Sequence, residues 1–136
     1  MAIAQELARR GASVLITYVS SKPRADKAVS EIQSVAHKEA KVAAVHADSA
    51  TSAEAARLVV AEAHKILGSI DIIVNNAADG SDINLAAVTT ENFDNLFHAN
   101  LLFPLLLIRE SRQHLRKKAR IVNISSTSAR RRTLQS

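Results

Sequence analysis

Residues 70–78, Ile-Asp-Ile-Ile-Val-Asn-Asn-Ala-Ala, decide the fold class of this chain. The segment is a nearly continuous apolar run up to Val74, which is typical of a parallel strand covered on both faces. Asn75 and Asn76 follow at the carboxyl end of that strand, where ligands gather in open α/β sheets. Because asparagine also closes local hydrogen bonds in turns, the pair taken alone is equally consistent with an ordinary Asn-rich loop.

On both sides of this segment, helix-like and strand-like apolar patterns alternate, as expected of βαβ units around a parallel sheet. The spacing predicts helices over 2–10, 24–39 and 91–117, and another helix that begins at a capping box of Thr51 and Glu54 and closes at Gly68. The predicted strands cover 14–18, 42–47, 70–74 and 120–124. The fold class is therefore α/β with a parallel sheet.

The composition is that of one globular domain: 136 residues, 47% hydrophobic, with no cysteine. The five histidines are scattered without ligand spacing, so we expect no metal site. Only three glycines occur, where average usage of ~7% would supply about ten, so a glycine-rich phosphate loop is not expected within these residues. No signal pattern opens the chain, and the most apolar run, 101–108, is far shorter than the ~20 residues of a bilayer span. A soluble, cytoplasmic protein is the expectation.

The net charge of +5 is concentrated at one end, because residues 109–136 hold nine basic side chains and one acidic. We interpret this as the solvated end of the 91–117 helix followed by a basic, frayed tail over 129–136. A nucleic-acid-binding module is the alternative, but no aromatic residue lies among the cations.

Asn100 shares its helical face with Phe93, Leu96, Phe97 and Leu101, so its carboxamide points where the periodicity predicts hydrocarbon and needs a polar partner. Pro104 lies four residues later and has no N–H, so the Asn100 carbonyl loses its usual helical donor and can hold a water. A hydrogen-bonded asparagine beside a proline kink is an equally good interpretation of these residues alone.

Ser125 and Ser126 follow the predicted strand 120–124 and place two hydroxyls at its carboxyl end. Serines also commonly end strands and cap helices, which would be a purely structural role.

Together these motifs resemble the short-chain dehydrogenase/reductase family, over the chain up to about Ser128. The family's N-N-A-G signature appears at 75–78 with Ala78 in place of glycine. The resemblance implies that Asn100 is the active-site asparagine whose carbonyl holds a water, and that Ser126 is the catalytic serine. It also implies cofactor contacts, with Asp48 on the adenine ring, from these residues: Tyr18, Ser20, Ser21, Lys22, Asp48, Ser49, Asn76, Ala77 and Ala78.

The cofactor implied by the resemblance is NADP, with NAD possible. Relatives that prefer NAD carry an acidic residue where Tyr18 lies, whereas no acid occurs here before Asp26. Ser20, Ser21, Lys22 and Arg24 are instead available to a 2′-phosphate.

The resemblance also implies that parts of the family pattern lie outside the chain. Relatives begin with a strand and a T-G-x-x-x-G-x-G turn that holds the pyrophosphate, and their Y-x-x-x-K pair would fall just past Ser136. Tyr18 and Lys22 have that spacing only by coincidence. We therefore expect residues 1–128 to form an incomplete Rossmann-type NAD(P)-binding domain, a doubly wound parallel sheet lacking its first strand.

In the doubly wound order, that first strand belongs between the strands at Val14 and Ile72, so its absence is expected to split the sheet. A strand paired on both sides contributes roughly ten hydrogen bonds at ~1 kcal/mol each, comparable to the whole stability of a domain. We therefore expect either that the flanking strands close against each other or that the isolated chain is partly unfolded.

The activity implied for the whole enzyme is reversible reduction of a small-molecule carbonyl by NAD(P)H, in a homo-oligomer without nucleic-acid or membrane partners. We expect the chain alone to bind cofactor weakly and to transfer no hydride. A non-catalytic product of a degenerate or incomplete gene is the main alternative.

Overall fold

The computed structural model of the chain describes residues 1–48 and 52–126, which contain nine principal helices and strands. In chain order they are α1 Ala2–Arg9, β1 Val14–Tyr18, α2 Lys22–Gln33, β2 Val42–His46, α3 Ser52–Leu67, β3 Ile70–Asn75, α4 Thr90–Phe97, α5 Phe103–Ser111 and β4 Leu115–Asn123. A short 3₁₀ turn, Leu85–Ala87, precedes α4, and a π-helical turn, His98–Leu102, joins α4 to α5. The predicted α/β class is confirmed.

The strands form two separate parallel sheets rather than one. β1 pairs with β2 from Val14↔Val42 to Tyr18↔His46, and β3 pairs with β4 up to Asn75↔Asn123. Within the described residues, no strand of one sheet pairs with a strand of the other. The expected split is therefore present, and closure of β1 directly onto β3 is not.

The core lies where the helices cover the two sheets. One buried cluster combines Val45 and Ala47 with Ala55 and Val59 of α3, and a second combines Ala63 with Ile70 and Ile73. Leu15 of β1 and Leu107 of α5 pack against both clusters. The two sheets are thus joined through side chains of the helices and of β1, without a shared hydrogen-bond ladder.

Local sequence signals explain several element ends. Gly11 at φ +92° follows α1 and Gly68 at φ +80° follows α3, a backbone region that glycine adopts at no steric cost. Ser21 caps α2 by accepting from the Arg24 N–H, and Thr89 with Asn92 forms a reciprocal capping box at α4. The proposed cap at Thr51 lies outside the described residues.

The predicted helix 91–117 is wrong in two respects. A π-helical turn interrupts it ahead of Pro104, as a missing N–H favours, and α5 ends at Ser111. The His114 N–H then donates to the Ser111 carbonyl at 2.8 Å, and the His114 carbonyl accepts from Ile70 N–H at 2.9 Å. Pairing with β3 therefore begins far earlier than the predicted strand 120–124. The cations at 116–118 lie on this strand and not on a helix end.

The predicted helix 24–39 is also too long, since α2 ends at Gln33. The next residues turn so that the His37 N–H donates to the Ala8 carbonyl at 2.9 Å, which ties the end of α2 to α1. This tertiary contact replaces the continuation of the helix.

The expectation that β3 is covered on both faces is also wrong. Ile70 and Ile73 are buried, but the Ile72 side chain is 43% exposed. The described helices therefore leave part of this strand open to solvent.

The predicted tail 129–136 lies outside the described residues. None of the helices in the described part of the chain is both long and apolar enough to cross a membrane.

Candidate active site

The carboxyl ends of β3 and β4 are held side by side by an asparagine pair. Asn75 Nδ2 donates to Asn123 Oδ1 at 2.8 Å, and the Ile124 N–H donates to the Asn75 carbonyl at 2.9 Å. Asn76 comes directly after one strand, and Ser126 comes three residues after the end of the other. The Asn75 side chain thus has a structural role, and sequence reasoning missed its partner, Asn123.

Asn100 is connected to the same end of β3 through its side chain. The Asp79 N–H donates to Asn100 Oδ1 at 2.8 Å, and Asn100 Nδ2 donates to the Asp79 carbonyl at 2.9 Å. The carboxamide therefore satisfies both backbone groups of one loop residue, three positions after Asn76. These two hydrogen bonds fix the loop after β3 against the π-helical turn that carries Asn100.

The helical face assigned to Asn100 is not a core face, which corrects the sequence prediction. Phe93, Phe97 and Leu101 are exposed large hydrophobic residues, and Asn100 is itself exposed. The needed polar partner exists, but it is the backbone of the loop at Asp79 and not a group buried in the core. Periodicity identifies the apolar face of this helix but does not say whether that face is buried.

Asp79 is itself ordered by its neighbour Ser81. Its Oδ1 accepts from the Ser81 backbone N–H at 3.0 Å and from the Ser81 hydroxyl. These two bonds hold the pKa of the Asp79 carboxyl below its usual value, with the side-chain hydrogen bond the larger cause. The loop is thus stabilised on both sides. The only local signal for Asp79 is the tendency of aspartate to form turns.

The ends of β1 and β2 form a second polar area. The Tyr18 and His46 rings meet edge to face with centroids 5.4 Å apart. Lys22 Nζ forms an exposed ion pair with Asp26 at 2.7 Å, and that hydrogen bond raises the Lys22 pKa. Ser21 caps α2, so its hydroxyl is already engaged with the Arg24 N–H at 3.4 Å.

The remaining predicted site residues fall near these two areas. Ser20 is exposed between β1 and α2, and Asp48 is half-buried two residues after β2. Asn76, Ala77 and Ala78 are exposed after β3. Ser49 lies outside the described residues.

A cleft of about 630 Å³ lies between the two sheets. Its lining includes β1 and β3 along their lengths and reaches Asn76 and Ala77. The described residues contain no group of three His, Asp or Glu side chains able to hold a metal ion.

The family described as enoyl-(acyl carrier protein) reductase matches residues 1–135. The short-chain dehydrogenase/reductase FrzI of a Cladobotryum species is 44% identical over 95% of this chain and 48% of its own length. The chain belongs to the short-chain dehydrogenase/reductase family. It spans about half the length of the curated relatives it matches.

Solved short-chain dehydrogenase structures share this fold. A dehydrogenase/reductase from Sinorhizobium meliloti 1021 superposes with a TM-score of 0.87 at 35% identity, covering 97% of this chain and 51% of that one. A short-chain dehydrogenase from Burkholderia cenocepacia J2315 in complex with NADP gives 0.86 at 33% identity, covering 96% and 51%. The predicted family and the Rossmann-type fold class are therefore confirmed.

The two polar areas of this short-chain dehydrogenase/reductase chain carry groups whose chemistry suits a nicotinamide dinucleotide. The first area carries the hydroxyls of Tyr18 and Ser20 and the ammonium of Lys22, and the second carries the carboxamide of Asn76. The described glycines, at 11, 68 and 80, do not form a phosphate-binding turn, and the start of α1 has no side-chain cap.

Proposed function

We propose that this chain is the cofactor-side half of an NADP-dependent oxidoreductase that reduces a small carbonyl compound reversibly. The observation that carries this proposal is the double hydrogen bond between Asn100 and Asp79. It joins the π-helical turn to the end of β3, and the Asn75–Asn123 pair joins β3 to the strand that leads to Ser126. Three elements bearing proposed site residues are thus connected at one edge.

In this proposal each residue of the chain has a distinct task. The Ser126 hydroxyl donates a hydrogen bond to the carbonyl oxygen of the substrate and so holds the substrate in place. The backbone carbonyl of Asn100 accepts from a water, because Pro104 removes its ordinary helical donor. Asn76, Ala77 and Ala78 line the nicotinamide end, and the bound cofactor supplies the hydride.

Relatives use a Tyr/Lys pair as proton donor, and the position that matches this pair falls outside residues 1–136. We therefore expect this chain by itself to oxidise no NADPH. The alternative of a non-catalytic protein predicts the same result for the chain, so the decisive experiment needs the other half of the fold.

That experiment is a chimera in which residues 1–136 replace the aligned half of the Burkholderia cenocepacia dehydrogenase. We expect saturable NADPH oxidation with a panel of small ketones and aldehydes. Absorbance of NADPH measures the rate, and the unmodified relative is the positive control. A chimera that folds and binds NADPH but reduces no carbonyl that the relative reduces would contradict the proposed function.

Preference for NADP over NAD is supported by the residues that follow β1 and open α2. Ser20, Lys22 and Arg24 surround the start of a twelve-residue helix, and helix N-termini favour anions. In the chimera we expect Lys22→Ala to weaken NADPH binding about three- to tenfold and to leave NADH binding unchanged. Asp26→Asn should strengthen NADPH binding, because it releases Lys22 from its ion pair.

The matched control is Lys27→Ala, which removes a cation further along the same helix. Lys27 Nζ lies 3.9 Å from the Glu31 carboxylate. Titration calorimetry with both cofactors measures these effects. Tighter binding of NADH than of NADPH by the unmodified chimera would contradict the preference.

We also propose that the whole enzyme is a homo-oligomer. Phe93, Phe97, Leu101 and Leu105 recur every four residues along α4, the π-helical turn and α5, and all four are exposed. Phe93 and Phe97 stack with ring centroids 4.2 Å apart. Such an exposed apolar stripe is typical of a protein–protein contact.

Leu101→Glu should therefore convert an oligomeric chimera to smaller species, because it places a charge in the centre of the stripe. Sedimentation velocity measures the change. Leu85→Glu, at a leucine that is 89% exposed outside the stripe, is the control and should leave the oligomer intact. An unchanged sedimentation coefficient for Leu101→Glu would contradict the assignment.

We propose a cytoplasmic location for the enzyme, in keeping with a chain that has no cysteine.

A further inference from the structure

A second cavity, of about 500 Å³, lies between α3 and the end of α5, and we call it the α3–α5 cavity. Its lining comes from three residues of α3 and from residues 109, 110 and 112–114 around the C-terminal end of α5. In the described part of the chain no strand residue belongs to this lining, so the cavity does not depend on how the two sheets are arranged. Cavities of about 300–1,000 Å³ are typical of small-molecule sites.

The two walls of the α3–α5 cavity are fixed by contacts within the chain. Leu107 of α5 packs against both core clusters to which α3 contributes, and the buried Ser111 hydroxyl donates to the Leu107 carbonyl at 2.7 Å. The His114 N–H donates to the Ser111 carbonyl at 2.8 Å, and the His114 carbonyl accepts from the Ile70 N–H at 2.9 Å. The His114 ring also lies against the His64 ring of α3, with centroids 4.2 Å apart. The cavity is therefore formed before any ligand binds.

The lining of the α3–α5 cavity is doubly positive when His114 is neutral. Among the described lining residues, Arg57, Arg109 and Arg112 stand against the one carboxylate of Glu110. That carboxylate is engaged with Arg109, whose Nη2 lies 2.6 Å from Glu110 Oε1. Neither Arg57 nor Arg112 forms an ion pair within the residues that the structure describes. Two guanidinium groups are thus available to an anion.

Stabilisation of a helix end explains only part of this arrangement. A cation at the C-terminal end of a helix complements the helix dipole, which accounts for Arg109 and Arg112 at the end of α5. It does not account for Arg57, which lies in the first half of α3. Ala61 lies four residues after Arg57 on the same helical face, and its methyl group fills little of the space beside it. Cations from two helices thus converge on one open space, as an anionic ligand requires.

We propose that the α3–α5 cavity binds a small organic phosphate ester, with Arg57 and Arg112 holding the phosphate and Val60 and Ala61 contacting the organic part. The planar fork of N–H donors in arginine matches the oxygens of a phosphate group. A phosphate ester is a dianion above about pH 6, which balances the double positive charge of the lining. A free phosphate ion would fill only a small part of the 500 Å³. The proposal is independent of the proposed carbonyl reduction.

Titration calorimetry with phenyl phosphate at about pH 8 tests the inference, on the purified chain and on the chimera. We expect saturable binding that NADPH does not compete with. Phenyl sulfate, a monoanion of the same shape, is the matched control and should bind at least about fivefold more weakly. Inorganic phosphate should bind about three- to tenfold more weakly than phenyl phosphate, because it cannot contact Val60 and Ala61. Equal affinity for phenyl sulfate, tighter binding of inorganic phosphate, or competition by NADPH would overturn the proposal.

Three variants locate the site. Arg57→Gln and Arg112→Gln should each weaken phenyl phosphate binding at least about tenfold, because each removes a charged donor. Glu110→Gln should strengthen binding about two- to fivefold, because it frees Arg109. Lys65→Gln removes a cation of α3 outside the lining and should have no effect. Circular dichroism checks that each variant remains folded. Unchanged affinity in both arginine variants, or an equal loss in Lys65→Gln, would overturn the assignment.

Discussion

Ser126→Ala is expected to lower kcat of the chimera by about 10²–10³-fold and to leave NADPH binding unchanged. Loss of one hydrogen-bond donor to a reacting oxygen typically has an effect of this size. Because Ser126 follows β4 and the proposed ribose residues follow β1, the mutation should leave the ribose end of the cofactor site intact. Steady-state kinetics with saturating NADPH measures the effect.

Ser125→Ala is the matched control, since it removes a hydroxyl from the neighbouring position at the end of the same strand. We expect its kcat to stay within about threefold of the parent chimera. A larger loss for Ser125→Ala than for Ser126→Ala would show that the family alignment has been shifted by one residue, and would move the catalytic assignment to Ser125.

Ile32→Ala is expected to destabilise the chain by about 2–5 kcal/mol, the usual cost of truncating a fully buried isoleucine. The Ile32 side chain on α2 is 0% exposed. Domains are stable by only about 5–15 kcal/mol, so the variant should lose most of its cooperative unfolding transition. Urea unfolding followed by far-UV circular dichroism measures this change.

Ile32→Val is the control, because it removes a single methylene and should cost only about 0.5–1.5 kcal/mol. The contrast between the two variants separates a cavity effect from a general sensitivity of α2. If both variants unfold at the same urea concentration as the parent, Ile32 does not belong to the core that the structure shows.

The sequence predicted the order and type of the principal elements because apolar periodicity and local caps encode both. Gly68 ends its helix where expected, and Pro104 interrupts the helix predicted at 91–117 through local backbone chemistry. The end of the last helix was missed because a tertiary pairing decides it. Ile70 and His114 pair across 44 positions of sequence, and the basic residues after Ser111 carry no periodic signal.

The candidate site shows the same division. Asn76, Asn100 and Ser126 stood out because they follow strands or interrupt an apolar pattern. Asp79 and Asn123 did not, since the Asp79 backbone and the Asn123 side chain are linked to the site only through hydrogen bonds to residues distant in sequence. The exposure of the Asn100 helical face was likewise beyond a periodicity argument, which identifies a stripe but not what covers it.

Leu15 and Leu107, the two residues shared by both core clusters, have a consequence for cooperativity. The half-sheets exchange no backbone hydrogen bonds in the described part of the chain, so the free energy that couples their melting passes through side-chain packing alone. Each half-sheet of residues 1–136 therefore has the physical independence of a separate foldon, and we expect one half to open in this chain while the other stays folded.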